Sequence, residues 1–88
     1  MPTFLVEVYL ARSEPRTAAA VALSHPGRDV RYRWSLLLPD EEIGFHVLDG
    51  PSIDAVRKLA MRARVQFQRV TQAVLISADD LDFEGGSR

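Results

Sequence analysis

The chain has 88 residues, 47% of them hydrophobic and 26% charged, and its 11 basic and 12 acidic side chains leave a formal net charge of −1. That length holds a single core, and that balance gives no global positive field to collect nucleic acid or an anionic membrane. With no cysteine, disulfides, thiolate nucleophiles and Cys-based zinc sites are excluded. The expectation is a cytoplasmic protein: the N-terminus reads as a strand rather than a leader, and no run nears the roughly 18 apolar residues of a membrane span.

Thr3 to Leu10 alternates as a first strand. Phe4, Val6, Val8 and Leu10 form a wholly apolar row, while Leu5, Glu7 and Tyr9 form a mixed one. A helix follows from about Glu14 to Ser24, with Ser13 as its cap and Glu14 and Pro15 in its first turn. It is nearly all alanine over Thr17 to Leu23, so propensity favours it although it presents little bulk. His25-Pro26-Gly27 ends it.

Val30 to Leu36 alternates as the second strand, with Val30, Tyr32, Trp34 and Leu36 read as core-facing and Arg31, Arg33 and Ser35 opposite. Pro39-Asp40-Glu41 turns the chain into a third strand, Glu42 to Leu48, making a hairpin. There Ile43, Phe45 and Val47 are read as inward, leaving Gly44, His46 and Leu48 on the other face. Asp49 to Ser52 breaks the strand, and Ser52 caps a second helix running to about Arg64. Ile53, Val56, Leu59, Ala60 and Ala63 recur on one side of it, and Asp54, Arg57, Lys58, Arg62 and Arg64 occupy the solvated other. The last strand spans about Arg69 to Ser77, giving a domain over residues 1–78. An acidic tail, Asp79 to Arg88, is expected to be frayed.

The order β-α-β-β-α-β is that of an α+β, ferredoxin-like fold, a four-stranded antiparallel sheet with two helices on one face. A chain this small gains from covering its free sheet face by self-association, so a homodimer is expected. On that helix-free side the reading places Leu5, Glu7, Tyr9, Arg31, Arg33, Ser35, Leu37, His46 and Leu48. Glu7, Tyr9 and His46 then converge, since neighbours on adjacent strands lie within about 5.5 Å and diagonal ones within about 8 Å. Carboxylate, phenol and imidazole suit a borderline divalent metal, or acid–base work on a small substrate. A histidine hydrogen-bonded across a dimer interface is the plainer reading of His46. Arg31 and Arg33 are read as ion-paired rather than anion-binding.

The RNA-recognition module shares this topology, and Gly44-Phe45-His46-Val47 loosely echoes its third-strand motif. That module needs exposed aromatics at alternate positions, and here those would be Ile43, Phe45 and Val47, assigned to the core. With the charge of −1, no nucleic-acid partner is expected.

The chain resembles a small family of nickel-binding, ferredoxin-like proteins. The likeness lies in the opening Met1 to Glu7, the strand Val30 to Ser35, the helix start Pro51 to Arg57, and the closing Phe67 to Val74, spread thinly over residues 1–78. It implies a dimer with sheets face to face and, for some members, nickel; no organic cofactor is implied. Two departures bear on that metal. Many relatives carry a cysteine where His46 stands, and a histidine where Leu59 stands, leaving Glu7 as the one cleanly matching polar candidate. The leading expectation is therefore a homodimer binding nickel at Glu7, Tyr9 and His46 on the open sheet face. The alternative is an enzyme of the dimeric α+β barrel type, a cofactor-independent monooxygenase or isomerase, with His46 as acid–base and a small aromatic substrate.

Overall fold

A computed structural model describes residues 1–12, 14–25 and 29–81. The elements are β1 (Thr3–Tyr9), α1 (Ala18–Leu23), β2 (Arg31–Leu38), β3 (Ile43–Asp49), α2 (Ile53–Arg62) and β4 (Phe67–Ala73), with short 3-10 turns at Pro39–Glu41 and Ala78–Asp80. The strands form one antiparallel sheet in the order β2-β3-β1-β4. This is the ferredoxin-like α+β fold that the element order predicts.

The core lies between the sheet and the two helices. Phe4, Val6 and Val8 of β1 meet Leu23 of α1, Leu48 of β3, Val56 and Ala60 of α2, and Val70 of β4. Each of the seven larger side chains contributes about 1.5–3 kcal/mol for full burial, which makes this cluster the anchor of the fold. α2 begins where the sequence says, because the Ser52 Oγ accepts a hydrogen bond from the Ala55 N–H at 3.2 Å. Val56 and Ala60 of its apolar stripe are buried, and Ile53, Leu59 and Ala63 pack partly against the same core.

Three elements differ from the sequence reading. α1 starts at Ala18 rather than near Glu14. Pro15 disfavours helical geometry at Glu14, and the chain instead turns there, with Ala18 N–H donating to the Pro15 carbonyl at 3.0 Å. The expected cap Ser13, and Pro26 and Gly27 beyond the helix, lie outside the described residues. β4 runs Phe67–Ala73 instead of Arg69 to Ser77. Its ladder with β1 runs from Val8 opposite Phe67 to Thr3 opposite Ala73, and Val74 to Ser77 lie beyond that pairing. Most of the expected acidic tail, residues 82–88, is likewise outside the described residues.

The third difference is which way side chains point. Pairing sets Val6 opposite His46, Phe4 opposite Leu48 and Val8 opposite Gly44, and residues opposite one another share a face. His46, Leu48 and Gly44 therefore lie with the core, beneath the helices. Ile43, Phe45 and Val47 lie on the open face, the reverse of the sequence reading. In β2 the register shifts between Tyr32 and Trp34, a β-bulge at Arg33. Before it the reading holds: Tyr32 packs on the core. After it the parity inverts, so Trp34, Leu36 and Leu38 turn to the open face, and Ser35 and Leu37 turn inward.

Ser52→Ala removes the α2 cap and is expected to lower stability by about 1 kcal/mol, read as a lower urea midpoint with unchanged slope.

Candidate functional site

The two faces of the sheet carry different chemistry. On the open face, Leu5, Tyr9, Trp34, Leu36, Leu38, Ile43, Phe45 and Val47 form one apolar field. None of the described helices covers it, and Tyr9, Trp34 and Leu36 are 58%, 46% and 51% exposed, the kind of contiguous apolar surface that marks an interaction site. Apart from Arg31, which has no ion pair among the described residues, its charges are paired locally. Arg33 Nη1 donates to Asp49 Oδ2 at 2.6 Å, Thr3 Oγ1 donates to Asp49 Oδ1 at 2.7 Å, and Arg69 Nε donates to Glu7 Oε1 at 3.0 Å. Burial by itself would raise the Asp49 pKa. The hydrogen bonds from Thr3 and Arg33 and the guanidinium charge outweigh it and hold the carboxyl below its usual 3.8.

On the helix side stands His46, 1% exposed. Its Nδ1 lies 2.6 Å from the Ser35 Oγ, which lies 2.5 Å from the Tyr32 phenol oxygen. The β2 bulge builds this chain of groups. Residues three apart on a regular strand face opposite ways, whereas the extra residue turns both Tyr32 and Ser35 toward the core. The other ring nitrogen, Nε2, is buried with no hydrogen-bond partner among the described residues. Such an orphan is rare, because an unpaired buried polar group costs about 1–3 kcal/mol.

His46 lines a cavity of about 470 Å³ between α1, the end of β1 and the α2–β4 connection, a volume within the range of small-molecule sites. Ala18, Ala19 and Ala22 of α1 form one wall, with Val8, Leu10, Ala63 and Val65 continuing the apolar lining. The alanines lack the bulk to fill the space. Beside the ring, Gly44 is tightly packed: a Cβ there would sit 3.7 Å from His46 Nε2 and crowd Leu37 at 3.1 Å and Val8 at 3.2 Å. Polar groups at the rim come from Glu14, Arg16, Arg64, Gln66 and Gln68. Burial lowers the His46 pKa below its usual 6.5, so the ring is neutral at neutral pH.

Arg64 has an unusual backbone. Val65 N–H donates to Ala60 O at 2.9 Å and Arg64 N–H donates to Met61 O at 3.0 Å, the paired bonds of a Schellman helix end. That motif puts Arg64 at φ 59°, a left-handed position usually given to glycine and costing a side-chain-bearing residue about 1–2 kcal/mol.

The residues singled out from the sequence are thus divided. Glu7 is on the open face, bonded to Arg69. Tyr9 borders the cavity at the end of β1, but its phenol donates to Glu42 Oε2 at 3.3 Å. His46 is on the helix side, because it pairs with Val6. The convergence of Glu7, Tyr9 and His46 is corrected accordingly: the sheet separates His46 from Glu7. Among the described residues no three His, Cys, Asp or Glu side chains come together as a metal would need. Sequence reasoning missed Tyr32 and Ser35, whose approach depends on a bulge, and Arg64, placed with the solvated face of α2. One signal for Arg64 was legible: no glycine follows the helix where one is usual.

No protein-family model matches the chain, and no curated protein matches it. Among solved structures, the crystal structure of SCO4226 from Streptomyces coelicolor A3(2) is similar, with a TM-score of 0.66 and 16% identity over 85% of this chain and 99% of that one. At that identity the likeness shows the fold.

The buried histidine makes stability pH-dependent. In the unfolded chain His46 takes its proton near 6.5, and in the native state only at lower pH. Between those values the unfolded chain binds more protons, so stability is full above about pH 6.5 and falls as pH drops below it. Urea midpoints followed from about pH 7.5 to about pH 5 should decline for the parent and lose much of that slope in His46→Gln.

Proposed function

We propose that the protein is a small-molecule-binding homodimer, in which two copies close their open sheet faces together and each keeps a ligand site at His46. The observation that carries the ligand site is the unpartnered Nε2 of a fully buried histidine at a cavity. A bound molecule that hydrogen-bonds this nitrogen would repay its desolvation. The Nδ1 contact to Ser35 holds the ring in one orientation, as a positioned binding group needs.

Self-association is supported by the composition of the open face. Its apolar field is contiguous, and its ion pairs are internal to one chain, so it suits a like, neutral surface. Phe45 and Trp34 face outward rather than into the core, so exposed aromatics are present on this sheet face. The charge argument still disfavours a polyanion: Arg33 and Arg69 are already neutralised by Asp49 and Glu7. Val74 and Ile76, 82% and 68% exposed just past β4, would gain cover in a dimer.

Nickel binding has weaker support. An ion at Glu7 would lie across the sheet from His46, and both Glu7 and Tyr9 already have partners. An enzyme reading has one observation in its favour: a neutral histidine, oriented by Ser35 and Tyr32 at a cavity, can accept or deliver a proton.

Light scattering of the parent should give a dimer mass, and Phe45→Asp, which puts a charge in the middle of the apolar field, should give a folded monomer. A monomeric parent would remove the dimer from the proposal. A fragment screen by NMR should find molecules that shift His46 and the α1 alanines together; hits confined to the open face would move the ligand site there.

A further inference from the structure

We infer that the His46 cavity takes a small apolar carboxylic acid in its anionic form, with Arg64 and Arg16 receiving the carboxylate and His46 donating a hydrogen bond. This rests on the cavity being a ligand site and adds the chemical class of the ligand.

Three features of the cavity point the same way. The first is the tautomer. Of the three groups in line, the phenol of Tyr32 is the strongest acid and the better donor, so it donates to Ser35 Oγ. Ser35 then has its own proton to give to His46 Nδ1. That leaves the ring proton on Nε2, buried in the wall of the cavity that His46 lines and without an acceptor among the described residues. The bulge, by turning Tyr32 and Ser35 inward together, decides what His46 offers.

The second is charge. Glu14, Arg16 and Arg64 are the ionised side chains of the rim, and they sum to one positive charge. Among the described residues neither Arg16 nor Arg64 has a carboxylate partner within 4.0 Å, whereas Arg12, just outside, is paired with Glu42. Unpaired guanidinium forks are suited to grip a carboxylate with two parallel bonds.

The third is Arg64 itself. A left-handed residue that is not glycine is a strained choice, and strain of this kind gathers at ligand clamps. Here it places a guanidinium-bearing side chain on the cavity. The floor, made of alanine, valine and leucine, has nothing to offer a polar ligand body. Donors at His46 and the arginines over an apolar floor describe a molecule with an anionic head and a hydrocarbon or aromatic remainder.

The test is calorimetric titration of the dimer with hexanoate, benzoate and phenylacetate, each beside its primary amide. The carboxylates should bind more tightly than the amides. Arg64→Gly should weaken carboxylate binding about tenfold or more while leaving the melting temperature unchanged or raised, because glycine relieves the left-handed strain. Arg62→Ala, outside the cavity on the same helix, should change neither. Glu14→Gln should strengthen carboxylate binding by removing the rim's negative charge. Should amides bind as well as acids, with binding lost in His46→Gln and kept in Arg64→Gly, the ligand site stands and the carboxylate inference is overturned. Should neither acids nor amides bind, and a broader fragment screen leave His46 unmoved, the ligand site itself is overturned.

Discussion

The pairing of Val6 with His46 is the constraint on which the rest of this structure depends. Val6 is fully buried at the centre of the core row, and its backbone partner must share its face. One register therefore places a histidine under the helices and an aromatic row, Phe45 with its neighbours, on the opposite surface. Slipping the strand by one residue would exchange these rows, putting Phe45 in the core and His46 in the open. The packing at Gly44 opposes the slip: Leu37 and Val8 leave no room there for a larger side chain.

The bulge in β2 is the second device, and it works on both faces at once. Inward, it brings Tyr32 and Ser35 to His46. Outward, it turns Trp34, Leu36 and Leu38 onto the apolar field, beside the Arg33 to Asp49 ion pair. One inserted residue therefore shapes both the cavity side and the self-association side. A small domain with little area to bury has little room for polar groups that do nothing. A buried ring nitrogen with no partner among the described residues, in so small a core, is the strongest reason to look for a ligand there.

Much of the fold was legible because element order, caps and turns are local. Ser52 as a cap, the turn at Pro39 to Glu41 and the apolar stripe of α2 are each set by a few adjacent residues. The sidedness of β3 was not legible, for a physical reason. Both of its rows are apolar enough for a core, and the bulkier one, Ile43, Phe45 and Val47, looks the better candidate. Amphipathic reasoning assigns the greasier row to the interior, which fails when a sheet carries a second apolar face meant for another surface. The bulge in β2 is equally silent, since Val30 to Leu36 alternates without interruption. The alanine-rich first helix was the one visible trace of the cavity: its lack of bulk was plain, though not what the missing bulk leaves room for.

The most direct measurement is an NMR pH titration of the His46 imidazole in labelled protein, with through-space contacts recorded for the same ring. The account predicts a neutral ring protonated on Nε2, titrating below 6.5, with contacts to Val6 and to the alanines of α1. A ring that titrates near 6.5 like a free histidine, and that contacts Phe45 or Glu7 instead, would contradict the buried placement and with it the cavity site.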